Sequence, residues 1–394
     1  MSTFPSAVSG FLNYLVNTRE SRVFSSTKIF NALAKQAYLM SEMVRGSSGE
    51  MAKAKSSGRE FRETIKLVPF SNSRTFLPGD ERTPTRGTED VAIIAPWRFH
   101  ETNRPINDYE IDTNEGDMFV QFKDLKTSIM QGLYTDHINF MEAQLWNTPD
   151  GPNMENRNAS PTNKMYSIPS IIVESSRQAP VSGWGAVATS TIHTASPNTL
   201  VNWRNQVSRF DSAQLDDPQN GLFSAFDEIF AKLQFVPPPG FEKYMENDDL
   251  RGMKIVCNLD GYNAFQSLLR DANNSTRAGA QDPSYGMPTF KGIPVKWIPA
   301  IDEALLDETG SVSSPLGSVA EGTYTNQVYP AGKPRFFFIN CNYFKAIFHP
   351  NHMMRETDPI TGGARQRDVN TVFLESVMNL MCFDRRRQGI VCPL

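Results

Sequence analysis

Hydrophobic and polar positions change their period several times along the chain, and each change marks an element. Ile29, Phe30, Leu33, Ala37, Met40 and Val44 follow Ser26 mostly in steps of three and four, which predicts a capped amphipathic helix. A shorter helical stretch before it carries Phe11, Leu12, Tyr14 and Leu15. The polar run of Gly, Ser, Ala and Lys through 46–58 reads as a flexible linker. Two short helices on a linker cannot cover their own apolar faces. Residues 1–58 therefore read as an arm that docks on its own chain or on a neighbour.

The pattern then shortens. Residues 61–70 and 91–100 read as two strands, with Ile65, Leu67 and Phe70 on the first and Ile93, Ile94, Trp97 and Phe99 on the second. Between them, 77–87 hold two Pro, two Gly and the charges Asp80, Glu81, Arg82 and Arg86, which leaves little room for regular structure. A hairpin with so long a charged tip is marginal alone and exposes strand edges, so it is expected to lie across another molecule. Residues 114–148 follow with a helical period through Met118, Phe122, Leu125, Ile129, Leu133, Ile138, Met141 and Leu145. Thr113 or Asn114 can cap this helix and Pro149 stops it. At 1.5 Å per residue it runs about 45–50 Å, with a bend expected beside Gly132 and His137 expected on its polar surface.

From 150 to 350 the chain reads as mixed α/β. An amphipathic segment centres on Trp203, and a helix spans 221–235 with Leu222, Phe226, Ile229, Phe230 and Leu233. A strand at 254–258 runs straight into a helix with Tyr262, Phe265, Leu268 and Leu269. Strands are expected at 293–298 and 335–340, with a polar loop over 302–333. From 371 to 382 apolar residues occupy both faces, as in a strand buried on both sides.

Composition narrows the function classes. With 394 residues, 39% hydrophobic and 21% charged, the chain is globular, yet 25 Gly and 26 Pro put much of it in loops. The net charge of -4 argues against a dedicated duplex-binding groove. Cys257, Cys341, Cys382 and Cys392 form no CxxC pair, so reduced, buried thiols are expected rather than zinc or disulfides. The first residues lack the pattern of a signal peptide and no window is apolar enough to span a membrane, which predicts a soluble protein made in a cytoplasm. Phosphate-loop, dinucleotide, GxSxG and HExxH motifs are missing, so no enzymatic activity and no cofactor is expected. His349 and His352, with Glu356 and Asp358 nearby, are the thin remainder: a weak metal-ligand candidate and the place an enzyme site would lie.

Two charge clusters say more. Asp80, Glu81, Arg82 and Arg86 at the hairpin tip form either a solvated loop or salt bridges to a partner subunit. Arg385, Arg386 and Arg387 form either a solvated turn or a surface that pairs with carboxylates or faces phosphates.

In this order of parts, and in the stretches 76–87 and 379–391, the chain resembles the HK97-fold major capsid proteins of tailed double-stranded DNA phages, of the podovirus type. The resemblance implies an α+β fold with an N-terminal arm (1–58), an extended hairpin E-loop (59–111), a P-domain spine helix (112–150), an A-domain (151–345) and C-terminal strands returning to the P-domain (346–394). It implies a homo-oligomeric icosahedral shell of hexamers and pentamers in the virion. Packaged DNA would be contacted weakly, and scaffolding and portal proteins would be separate partners, with or without decoration proteins. Asp80, Glu81, Arg82, Arg86, Trp97, Phe11 and Phe30 are then subunit-interface candidates, and Arg385, Arg386 and Arg387 interface or DNA-facing ones. The alternatives are an encapsulin-like cargo shell and a cytoplasmic enzyme with its site in 151–350.

Overall fold

The structure, a computed structural model, describes residues 39, 52–54, 58, 60–66, 77, 90–107, 125–146, 165–172, 203–234, 252–275, 288–303, 334–357, 360–361 and 369–394. In chain order the elements are β1 (Ala52–Ala54), β2 (Glu60–Lys66), β3 (Asp90–Pro96), β4 (Arg98–Asn107), α1 (Leu125–Trp146), α2 (Ile168–Ile171), β5 (Gln206–Phe210), α3 (Leu222–Leu233), β6 (Met253–Cys257) and α4 (Leu259–Ser275). Then come β7 (Thr289–Phe290), β8 (Ile293–Trp297), α5 (Pro299–Glu303), β9 (Phe336–Asn340), β10 (Phe344–Phe348), β11 (Arg355–Glu356), β12 (Ile360–Thr361), β13 (Val369–Cys382) and β14 (Gly389–Pro393). Helices and mixed sheets coexist, an α+β fold.

Two sheets and a separate hairpin hold the chain. The first sheet is built on the 14-residue β13. β4 runs antiparallel along one of its edges, from Val369↔Asn107 to Met378↔Arg98. β12, β11 and β10 share the other edge in succession, and β1 adds parallel to β10. The second sheet has the order β5-β14-β9-β6-β8-β7.

Period-two alternation explains the second sheet's two cores. Phe336 and Phe338 of β9 face one core, Phe337 and Ile339 the other. On β6, Ile255 and Cys257 face the first of these and Val256 the second, so both faces are apolar, as expected of a covered sheet. α3 and α4 cover one face. α3 buries Leu222, Ala225, Phe226, Ile229 and Leu233, one stripe of a 3.6-residue period. The Phe226 ring stands 4.8 to 5.5 Å from those of Phe265, Phe290, Phe336 and Phe338. A Cβ on Gly389 would lie 2.9 Å from Ile229 Cγ1, which is why α3 can sit directly on β14. The expected strand-to-helix step is present. Asn258 Oδ1 accepts from the backbone N–H of Gly261 and of Arg335, both at 3.0 Å, and the Asp302 carboxylate accepts from Leu259 N–H.

Several expectations need correction. The return leg of the hairpin does not stay in the hairpin: it pairs with β2 through Pro96, then enters the first sheet as β4. Part of the supposed linker, Ala52–Ala54, is a strand, because β10 offers it an edge. The amphipathic segment at Trp203 leads into strand β5, with Trp203 itself fully buried. α1 runs through Gly132 as one helix, and His137 is buried, not surface. The closing segment also divides, since β13 belongs to the first sheet whereas β14 pairs with β5 and β9 in the second. The predicted arm helices, the hairpin tip and most of the 302–333 loop lie outside the described residues. The arm residue Leu39 is nevertheless buried against the chain's own core, with its N–H donating to Glu142 Oε1 at 3.2 Å. Cys257, Cys341, Cys382 and Cys392 are buried thiols.

Candidate functional site: hairpin, sheet face and arginine turn

Along its described length the two-stranded hairpin turns one face to the main core, where Ile65 and Val91 are partly buried. Phe61, Ile93 and Ala95 enter the main core, and Phe61 meets Phe383 edge-on at 6.2 Å. Toward the tip Arg62, Glu63, Thr64 and Lys66 are exposed, and Asp90 pairs in register with Lys66. Leu77, the one tip residue described, is 72% exposed. Such a ribbon offers backbone edges and a polar, charged face away from its own fold. Asp80, Glu81, Arg82 and Arg86 lie outside the described residues, as do Phe11 and Phe30. Trp97 is half-buried at the hairpin base. Its Nε1–H donates to Gly58 O at 2.8 Å and its ring stands edge-on to His349. Its indole thus fixes where the hairpin leaves the first sheet.

Next to Trp97, Phe99 points outward from β4 and is 74% exposed, opposite Val377 of β13. The sequence shows it only as one more apolar strand residue. Its exposure follows from parity, because Arg98 and His100 take the inner positions facing α1.

The arginine turn 385–387 joins the two sheets. Arg385 is fully buried. Its Nε and Nη2 donate to Ile171 O at 2.8 and 2.5 Å, Nη1 to Trp203 O at 2.8 Å, and Nη2 also to Asn205 Oδ1 at 3.1 Å. Burial pulls the guanidinium down to about 10, still charged at neutral pH. Arg387 is also buried and lies 4.0 Å over the Tyr343 ring. Arg386 is half-exposed and pairs with Asp384, which also accepts from its backbone N–H. Arg385 is thus an internal clamp, and Arg386 is the member whose side chain reaches solvent.

A third polar centre was not foreseen. His137 bridges Thr102 Oγ1 (2.8 Å from Nδ1) and Ser376 Oγ (2.7 Å from Nε2), while Ser376 Oγ accepts from Met354 N–H at 3.1 Å. Burial holds the imidazole down to about 4. Only partners remote in sequence keep such a group inside.

The His349 and His352 rings lie 4.9 Å apart, tilted by 59°, but Glu356 turns to α1 and accepts from Tyr134 O–H at 2.7 Å. Among the described residues no three His, Cys, Asp or Glu are grouped to hold a metal ion, and no helix is long and apolar enough to cross a membrane.

No protein-family model and no curated protein matches the sequence. Solved structures do match the fold. The capsid subunit of cyanophage A-1(L) is 10% identical, with 95% of this chain aligned to 98% of that one at a TM-score of 0.53. The capsid subunit of a native GTA particle is 10% identical, with 94% of each chain covered at 0.51. That of the bacteriophage PhiM1 mature capsid is 8% identical, with 93% of this chain and 91% of that one covered at 0.51. Nearly end to end, the chain has the α+β fold of these capsid subunits.

Proposed function

We propose that the chain is a major capsid protein, a structural rather than catalytic component, whose copies assemble into an icosahedral shell enclosing double-stranded DNA in the virion. The observation that carries this reading is that the likeness to the cyanophage capsid structure covers 95% of this chain and 98% of that one. The hairpin supports it, since its exposed face of Arg62, Glu63, Thr64 and Lys66 and its strand edges are open to a neighbour. In this reading residues 1–58 are the arm, 59–111 the HK97-type E-loop, 112–150 the P-domain spine with part of 346–394, and 151–345 the A-domain. Hexamers and pentamers share repeated heterologous contacts that close a shell. Scaffolding and portal proteins are separate partners. DNA is contained rather than gripped, consistent with a net charge of -4.

Asp80, Glu81, Arg82 and Arg86 set the register between neighbouring copies, with the apolar Phe11, Phe30 and the Trp97 region at adjacent contacts. The double variant Arg82→Glu/Arg86→Glu tests this. It should remain soluble and folded by circular dichroism, yet give at least tenfold fewer particles on a sedimentation gradient. Particle yield equal to wild type would remove the tip charges from the contact.

A further inference from the structure

The first sheet has one face that the described residues leave partly open. On β13, Leu374 and Ser376 turn to the α1 side, where Ser376 meets His137, so Phe373, Glu375 and Val377 lie on the other face. The pairing places Asn103, Glu101 and Phe99 of β4 beside them on that same face. One end of the face is covered. Asn379 Nδ2 donates to Pro96 O at 2.7 Å, its Oδ1 accepts from Tyr166 N–H at 2.9 Å, and the Trp97 ring stands edge-on to His349 at 6.0 Å. Past Trp97 the cover ends. Phe99 is 74% exposed, Glu101 and Asn103 are exposed, and Phe373 and Glu375 are half-buried. Glu101 stands directly opposite Glu375, whose other neighbour in register is Arg355 of β11. Like charges opposite one another in a sheet are destabilising. Two carboxylates beside one arginine leave a surplus negative charge, and among the described residues no ion pair reaches either glutamate.

An exposed aromatic ring beside surplus carboxylates suits a partner segment that carries an apolar residue and a cation. Residues 1–38 of this chain have that chemistry. They hold Arg19, Arg22, Lys28 and Lys35 against Glu20 alone, a surplus of three positive charges in a chain whose net charge is -4. Arg22 and Phe24 lie between the two predicted arm helices. They are two positions apart, as Glu101 and Phe99 are, so in an extended segment they share one face. The arm joins its own subunit at Leu39, whose N–H donates to Glu142 of α1, on the opposite side of the sheet. We propose that the open face around Phe99 and Phe373 receives the N-terminal arm of a second copy of this chain, with Phe24 on Phe99 and Arg22 at the Glu101 and Glu375 pair. The proposal rests on the shell reading for that second copy.

Disulfide trapping between two full-length variants tests it, since the four native thiols are buried. Glu101→Cys and Arg22→Cys are expressed together and oxidised with copper–phenanthroline. The pair should give at least tenfold more disulfide-linked dimer on a non-reducing gel than either variant alone. It should exceed by as much the pair of Arg22→Cys with Gln219→Cys, an exposed position on another loop. Equal dimer from every combination, or none from any, overturns the site. So does a double Glu101→Cys/Arg22→Cys chain that links only within itself, since the occupant is then the chain's own arm. A wild-type chain that forms no particles while the linked dimer is present sinks the shell reading and leaves the site standing. Particles without the linked dimer do the reverse.

Discussion

Arg385 shows how far a residue's role can depart from its sequence context. Three successive arginines read as a solvated turn or a phosphate-facing patch. Yet Arg385 is fully buried because its acceptors, the carbonyls of Ile171 and Trp203 and the amide of Asn205, come from about 180 to 214 positions away. No local pattern can announce that. Truncating it strands carbonyls that now accept charged hydrogen bonds, so Arg385→Ala should cost about 3–5 kcal/mol, much of a typical stability of about 5–15 kcal/mol. Arg386→Ala, at a half-exposed pair with Asp384, should cost under about 1 kcal/mol. Urea unfolding of the two variants checks the contrast, and equal losses would mean that Arg385 does not clamp the sheets.

At the scale of elements, the α3 stripe, the β6-to-α4 step, the hairpin pairing of β2 with β3 and the doubly buried β13 were all legible, because each rests on local periodicity. β1 was not, since Ala52–Ala54 has no strand pattern and owes its state to an edge of β10. The switch of the return leg at Trp97 was equally hidden: the same alternation serves either partner strand, and only β13 selects. In α1 Leu133, Met141 and Leu145 are buried as their period predicts, Met118 and Phe122 lie outside the described residues, and the burial of His137, Glu142 and Gln144 is not legible in the pattern. His137 ties α1 to β4 and β13, and its acid behaviour is a test of that tie. Its folded-state pKa, like that of His100, lies at about 4, below the usual 6.5. Below 6.5 the unfolded chain therefore takes up protons that the folded chain refuses. Stability falls as pH drops from about 6.5 toward 4, by on the order of 2 kcal/mol per histidine between pH 7 and 5. His137→Gln should lose roughly half of this dependence relative to wild type in urea unfolding at the two pH values. An unchanged pH dependence would mean that the imidazole is not held neutral at this junction.

Over the whole molecule, the residues that join its parts lie at the boundaries between them. Arg385 joins the two sheets, Trp97 sits where the hairpin leaves, and β13 carries strands on both edges. The described residues form two sheets with a two-stranded hairpin beside them, and in the shell reading Phe99 and the exposed face of the hairpin are surface that a neighbouring copy would cover. The fold of capsid subunits thus appears in a chain only 8–10% identical to theirs, which fits a fold specified by pattern and long-range pairing rather than by a few invariant chemical groups. Shell formation is the claim on which the rest depends. Electron microscopy of the protein purified after expression, with the contents of the fractions analysed, tests it directly. The account predicts closed particles hundreds of ångströms across (on the order of many tens of subunits) when a scaffold is supplied, and double-stranded DNA inside particles recovered from its native source. A uniform 44.2 kDa monomer under all these conditions, or particles filled with protein cargo and no DNA, would contradict it.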